Sequence, residues 1–215
     1  MAWYFSARQP VLQVLTNRNN PEHLPHPVLA ERLFAAGAEM VQIREKDQDF
    51  LVEQLKKHPP KQVVRRPHQH LILNDFPEIA ARYGFDGVHL GVQDVSPEEA
   101  RELLGPSAII GFTVHNEAEL QRGNRSAADY FGIGPVFGTH SKQTGLPPLG
   151  VAGLRALCAE AARPVLGIGN LQPENCARIL EAGAAGIAVL SGILQAADQA
   201  AAVRAYRSAL SGATG

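Results

Sequence analysis

The chain has 215 residues, 45% of them hydrophobic and 6% aromatic, which is enough for one good-sized core and short for two. Its 20 basic and 21 acidic residues give a net charge of -1, with no cationic excess to neutralise a phosphate backbone, so general nucleic-acid binding is not expected. No apolar run approaches the roughly 20 residues of a membrane span, and the N-terminus has no basic stretch leading into an apolar core, so a membrane partner is not expected and a cytoplasmic location is. Cys158 and Cys176 lack the close spacing of a metal or redox motif and read as buried, reduced thiols.

After a short N-terminal extension over residues 1–10, runs of β-branched and aliphatic residues recur about every 20 to 30 positions, each followed by a polar or Gly-bearing loop and then a stretch of helical period. Eight strands are predicted: Val11–Thr16, Glu39–Arg44, Gln69–Asn74, Asp86–Leu90, Ala108–Thr113, Asp129–Gly134, Pro164–Ile168 and Ala185–Val189. Amphipathic segments between them include Pro27–Ala36, Ser96–Leu104, Asn116–Arg122, Gly150–Ala161 and Pro173–Ala182. Alternation this regular predicts parallel strands joined by helical crossovers. The tail at 211–215 is expected to fray.

An open doubly wound sheet or a closed eightfold barrel would both bury such strands, and the count of eight favours the single (β/α)8 TIM barrel. So does the position of the polar residues. Gln42, Arg44 and Lys46 sit at or just beyond the second strand, and Asn74 and Asp75 end the third. Asp94 follows the fourth, Thr113 and His115 the fifth, Gly134 to Lys142 the sixth, Gly169 the seventh, and Ser191 with Gly192 the eighth. In a barrel those ends share the C-terminal rim, where residues scattered along the chain converge on one pocket. No Gly-x-Gly-x-x-Gly turn follows the first strand, which argues against a dinucleotide site.

Gln42, Arg44 and Lys46 alternate, so as a strand they point to one side and Val41, Ile43 and Glu45 to the other. At a barrel mouth Gln42 would hydrogen-bond a ring, Arg44 would grip an anion as a fork and Lys46 as a point charge; a solvated edge is the plainer alternative. Asp75 and Asp94 come from successive loops, and their convergence would suit a magnesium ion that keeps waters and bridges to substrate oxygens. Asp75 also has capping-box spacing to Glu78 and would otherwise start the next helix. Asp94 is released from that duty, because Ser96-Pro-Glu-Glu99 is already a capping box with proline at the first helical position. The loop from Gly134 to Lys142 carries Thr139, Ser141 and Lys142 within four residues, an inventory for wrapping phosphate oxygens that is not in P-loop order. Gly167-Ile-Gly-Asn170 and Ser191-Gly192 suggest a second anion site at backbone amides, or glycines needed only for tight turns. Asn116-Glu-Ala-Glu119 can cap its own helix, which leaves His115 free to face the rim. His68 and His70 have no evident third ligand.

Val-Gln-Ile-Arg-Glu-Lys-Asp47, Leu-Asn-Asp75, Gly-Val-His-Leu-Gly91 with Asp94, Gly-Phe-Thr-Val-His115, Asp-Tyr-Phe-Gly-Ile-Gly-Pro-Val-Phe137 with Thr139, Ser141 and Lys142, and Gly-Ile-Ala-Val-Leu-Ser191 together resemble the thiamine phosphate synthase and thiazole tautomerase family, in order and over nearly the whole chain. The resemblance implies a transferase of thiamine biosynthesis that joins hydroxymethylpyrimidine diphosphate to hydroxyethylthiazole phosphate with Mg2+ assistance and releases diphosphate. It also implies roles by position. Gln42 would bind the pyrimidine, and Arg44, Asn74, Thr113 and Lys142 the diphosphate. Asp75 and Asp94 would hold magnesium, and Thr139 and Ser141 would meet the thiazole substrate. Gly169, with Asn170 beside it, and the amides around Ser191 and Gly192 would take the thiazole phosphate. No protein nucleophile is required, and a homo-oligomer is compatible with all of this.

Several positions depart from the synthase pattern. Thr113 stands for Ser, Val92 for Gln, Gly138 for Pro and Asn170 for the second glycine of an Ile-Gly-Gly turn, and His140 interrupts a run of threonines. A side chain at Asn170 is expected to crowd the thiazole phosphate, although Asn tolerates the left-handed backbone such a turn needs. The alternatives are an isomerase acting on a thiazole carboxylate phosphate, with His115 moving the proton, and a non-catalytic barrel that binds a thiamine precursor.

Overall fold

The computed structural model describes residues 9–138 and 147–213. Its strands are β1 Val11–Leu15, β2 Met40–Ile43, β3 His70–Asn74, β4 Gly87–Leu90, β5 Ile109–Val114, β6 Tyr130–Ile133, β7 Val165–Ile168 and β8 Gly186–Val189. Each matches its predicted run to within one residue at either end. All neighbours pair in parallel and β8 closes onto β1, so the sheet is a closed barrel in chain order. Helices α1 His26–Ala36, α2 Gln48–Lys57, α3 Pro77–Tyr83, α4 Pro97–Leu104, α5 Glu117–Asn124, α6 Gly150–Glu160, α7 Cys176–Glu181, α8 Ser191–Leu194 and α9 Gln199–Gly212 follow the strands. The predicted helix over 173–182 is split, because Pro173–Asn175 forms a 3-10 turn before α7 begins. Ser211 and Gly212, expected to fray, belong to α9.

Strand alternation separates two cores. Leu12, Val14, Val41, Ile43, Leu71, Leu73, Val88 and Leu90 point outward and are covered by the helices, each worth about 1.5–3 kcal/mol when fully buried. A smaller cluster, Val11, Leu15, Met40, Ile72, Ile109, Tyr130, Leu166 and Ala188, fills the barrel interior. Polar side chains complete that interior: Gln13, Gln42, Asn74 and His89 are all buried there. Cys176 is buried and Cys158 half-buried, both as free thiols, and burial pushes each up to about 11. Among the described residues no helix is long and apolar enough to cross a membrane.

The N-terminal rim is built by a repeated device. Glu39, Asp86 and Asp129 immediately precede β2, β4 and β6. Each carboxylate accepts a backbone N–H from the preceding strand, from Leu12 at 3.0 Å, Leu71 at 2.7 Å and Ile110 at 2.8 Å respectively. Each also pairs with an arginine, Arg207 at 3.1 Å, Arg65 at 3.0 Å and Arg101 at 2.6 Å. Charge-assisted bonds of this kind are stronger than neutral ones and pin the register of three strand pairs.

Candidate active site

At the opposite rim, strand β2 places Gln42 in the barrel and aims Arg44 and Lys46 along the same side beyond its end, while Glu45 turns outward. Glu45 is gripped by both arms of Arg18 at 2.8 Å and accepts the N–H groups of Lys46 and Asp47. Burial works to raise the Glu45 carboxyl, but the Arg18 fork and those amides outweigh it and hold it at about 2. The segment that carries the predicted ring and anion contacts is thereby fixed from behind.

Strand β3 ends in Asn74 and continues into a strained turn. Asp75 has φ 60° and Phe76 φ 33°, left-handed values that Asp tolerates and Phe does not readily adopt. The N-cap of α3 is Phe76, with no side-chain cap, so Asp75 does not start the helix as the capping alternative had it. Its amide instead extends the β3–β4 pairing, donating to the His89 carbonyl at 2.9 Å, and its carboxylate faces the cavity. Such strain costs on the order of 1–3 kcal/mol per residue and is characteristic of functional turns.

Asp75 and Asp94 stand close enough to act on each other's ionisation. Burial and the neighbouring Asp94 push the Asp75 carboxyl up to about 6, against the pull of Lys46. Burial also works to raise Asp94, yet the neighbouring Asp75 carboxyl and the Gly91 N–H at 2.6 Å hold it below the usual carboxylate range. As expected, Asp94 is spared from capping, since Ser96 and Glu99 complete the box at the start of α4. Lys46, expected to face an anion, rests its ammonium on Asp75 at 2.5 Å. Among the described residues no group of three or more His, Cys, Asp or Glu side chains could hold a metal ion. Two neighbouring carboxylates are nevertheless a donor pair that suits a hard divalent cation, provided that waters and substrate oxygens complete its shell.

Among the described residues two donors nearby have no partner: Arg44 Nε and Asn74 Nδ2 are buried without a hydrogen bond. Leaving a buried donor unmade costs about 1–3 kcal/mol, so these two groups do not serve stability. On β5, the Thr113 hydroxyl lies 3.0 Å from Nε2 of the His89 ring, within hydrogen-bond distance. His115 lines the cavity but is not free as anticipated. Asn116 caps α5 as expected, while Glu119 reaches back to His115 and takes both its backbone N–H at 2.7 Å and its ring Nδ1 at 2.8 Å.

The far wall comes from β7 and β8. Gly169 has φ 114°, and a side chain there would collide with Pro135, whose Cα lies 2.7 Å from the Cβ position. Asn170 follows at φ 47°, so the left-handed turn is kept without its second glycine, and its side chain is exposed at the cavity edge. Ser191 and Gly192 open α8, where N–H groups have no helical acceptor. Gly192 is also required by packing, because a Cβ would stand 2.2 Å from the Tyr206 hydroxyl.

One cavity is therefore lined by Gln42, Arg44, Lys46, Asn74, Asp75, Asp94, Thr113, His115, Gly169, Asn170, Ser191 and Gly192. Thr139, His140, Ser141 and Lys142 lie outside the described residues. Val92 is absent from the cavity and packs against the outer core, so its departure from the usual Gln does not reshape the wall. Sequence reasoning missed Gln13 and His89, which also line the cavity, and the buried Tyr130 behind them. Their signal was a polar residue at an inward position of an otherwise apolar strand.

These features define a (β/α)8 barrel with a cavity at its C-terminal rim lined by cationic, amide and carboxylate side chains. The family model for thiamine monophosphate synthase matches residues 12–193, and the chain belongs to that family. It is 37% identical to the thiamine-phosphate synthase of Moorella thermoacetica over 87% of this chain and 89% of that one. It is 38% identical to the thiamine biosynthesis bifunctional protein ThiM/ThiE of Symbiobacterium thermophilum over 83% of this chain, but spans only 37% of that longer protein. The structure of thiamine phosphate pyrophosphorylase from Pyrococcus furiosus superposes with a TM-score of 0.78 at 26% identity, covering 97% of this chain and 98% of that one.

Proposed function

We propose that the chain is a thiamine-phosphate synthase, a transferase that joins hydroxymethylpyrimidine diphosphate to hydroxyethylthiazole phosphate with magnesium assistance. The observation that carries the reading is the pair of buried, unpartnered donors, Arg44 Nε and Asn74 Nδ2, on the same rim as the paired carboxylates of Asp75 and Asp94.

A diphosphate offers many acceptors and no donors at neutral pH, which is the complement of those orphaned groups. In this reading Arg44 and Asn74 hold its oxygens, Thr113 donates its hydroxyl, and Lys142 from the sixth loop adds a second cation. Asp75 and Asp94 would hold the metal, which supplies neutralisation of the charge that builds on the departing diphosphate. The benzylic-type C–O bond breaks with its electron pair leaving on the diphosphate, and the thiazole nitrogen supplies the pair for the new C–N bond. Donors fixed before the reaction stabilise the leaving charge without reorganising. Gln42 orients the pyrimidine. Thr139 and Ser141 meet the thiazole substrate, and Gly169, Asn170 and the amides of Ser191 and Gly192 receive its phosphate. The thiazole isomerase alternative assigns no role to the carboxylate pair or to the orphaned donors.

The test is formation of thiamine phosphate and release of diphosphate by the purified chain given both substrates, first with Mg2+ and then with EDTA. Metal-dependent product is expected. Folded protein that gives none would overturn the assignment and move the isomerase forward.

A further inference from the structure

Five buried or half-buried side chains, one from each of five strands, form a continuous hydrogen-bond chain across the barrel interior. Gln42 Nε2 donates to Gln13 Oε1 at 3.4 Å, and Gln13 Nε2 donates to the Tyr130 hydroxyl at 2.9 Å. That hydroxyl lies 3.0 Å from His89 Nδ1, and His89 Nε2 lies 3.0 Å from the Thr113 hydroxyl. The barrel is built to admit this chain. Gly111 sits beside it on β5, and a Cβ there would stand 2.3 Å from His89 Nδ1 and 2.5 Å from the Tyr130 oxygen.

Each link carries one proton, and with a neutral imidazole the whole chain has two consistent directions. In one, Gln42 gives its amide N–H to Gln13, Gln13 to Tyr130, Tyr130 to His89 and His89 to Thr113. The Gln42 carbonyl is then left to accept from a ligand, and the Thr113 hydroxyl is left to donate to one. In the other, Thr113 spends its proton on His89 and every link reverses, so that Gln42 presents an N–H and Thr113 a lone pair. The Tyr130 hydroxyl has a single proton: in either direction it donates to one neighbour in the chain and accepts from the other, and it cannot donate to both.

We propose that Gln13, Tyr130 and His89 are positioning residues whose ordered chain couples the two ends of the substrate site, so that the anion accepting the Thr113 proton also fixes the Gln42 carbonyl as an acceptor for a ring amino group. This rests on the synthase reading for the identity of the two ligands. Its consequence is specificity. An aminopyrimidine diphosphate satisfies both ends at once, whereas its oxo analogue, with a carbonyl in place of the amino group, meets the Gln42 carbonyl with a second acceptor.

The test is calorimetric binding of the two diphosphates, the aminopyrimidine and its oxo analogue, which needs no turnover. The wild type is expected to prefer the amino compound by about tenfold or more, since a buried polar site left unpaired is what discriminates such isosteres. Tyr130→Phe removes the central hydroxyl, and Gln13→Leu cuts the chain one link earlier. Both are expected to bring the ratio to within about threefold, with the double variant no worse than either single one, because a chain once broken cannot be broken again. Thr113→Val, at the half-buried rim, is the variant least exposed to folding failure. It touches the diphosphate end, yet is expected to relax the choice of base at Gln42, which a purely local role would not do. A ratio unchanged in Thr113→Val, or additive losses in Tyr130→Phe and Gln13→Leu, overturns the coupling. Wild-type product formation with an unchanged ratio leaves the function standing and removes only the chain; a wild type that binds neither diphosphate removes both.

Discussion

The two rims of the barrel use the same residue types to opposite ends. At the N-terminal rim Glu39, Asp86 and Asp129 each have a backbone N–H and an arginine. At the C-terminal rim Asp75 and Asp94 press on each other, and Arg44 and Asn74 keep buried donors unpaired. The left-handed backbone at Asp75, Phe76 and Asn170 lies on the C-terminal side as well. Polar groups satisfied inside the chain contribute to stability, whereas carboxylates set against each other and buried donors left unmade cost it, and a barrel separates the two by the length of its strands.

Mutations at the two rims should therefore move different observables. The largest effect expected is on turnover: Lys142→Ala should lower kcat by about 10²-fold or more if that ammonium stabilises the departing diphosphate, and near-wild-type rates would remove it from the mechanism. Asn74→Leu fills the same volume without the orphaned amide. It should lower turnover by about tenfold while leaving the melting temperature unchanged or slightly raised, since burying an unpaired donor is what it relieves; a substantial drop in melting temperature would mean that Asn74 is structural.

Arg101→Ala is the converse change at the N-terminal rim. It strips Asp129 of its cation and empties the carbonyls of Ala108 and Ala127 of a donor. A loss of about 2 kcal/mol is expected, a fall of roughly 4–8 °C in melting temperature for a chain of this size, with kcat within about twofold of wild type. A comparable loss of kcat at saturating substrate would show that the rims are not independent.

The smallest effect is a pH dependence. Glu45 is held at about 2 in the folded chain against an ordinary 4.5. A depressed carboxyl contributes stability that is present above about 4.5 and is lost as pH falls towards 2, because the unfolded state binds the proton first. Arg18 is substantially exposed, so solvent screens the pair and the contribution is modest. Urea titrations from pH 6 to 3 should show Glu45→Gln with a shallower acid decline than wild type, and parallel curves would sink the assignment.

The strands were legible because each outward position is apolar and each run ends in a loop rich in Gly, Asp or Asn, so period and punctuation agreed. The rim residues were legible for a related reason: a polar residue at the C-terminal end of a barrel strand has one destination. His115 was only half legible. Its place at the cavity followed from β5, but its hydrogen bonds to the Glu119 carboxylate depend on how the first turn of α5 folds back. Asp75 offered two readings with the same spacing, and only the backbone at Phe76 decided between them. Gln13, His89 and Tyr130 lie 41 to 117 positions apart in their contacts, and no local pattern joins them.

The sequence by itself determined the eightfold alternation, the inward and outward sets on each strand and the inventory of the rim, because these follow from periods of two and 3.6 residues along a single chain. Only the tertiary structure decided which polar atoms meet. The apposition of Asp75 and Asp94, the orphaned donors of Arg44 and Asn74, and the chain from Gln42 to Thr113 all arise where closure brings distant strands together. That approach is set by the packing of the whole barrel and by no one segment of it.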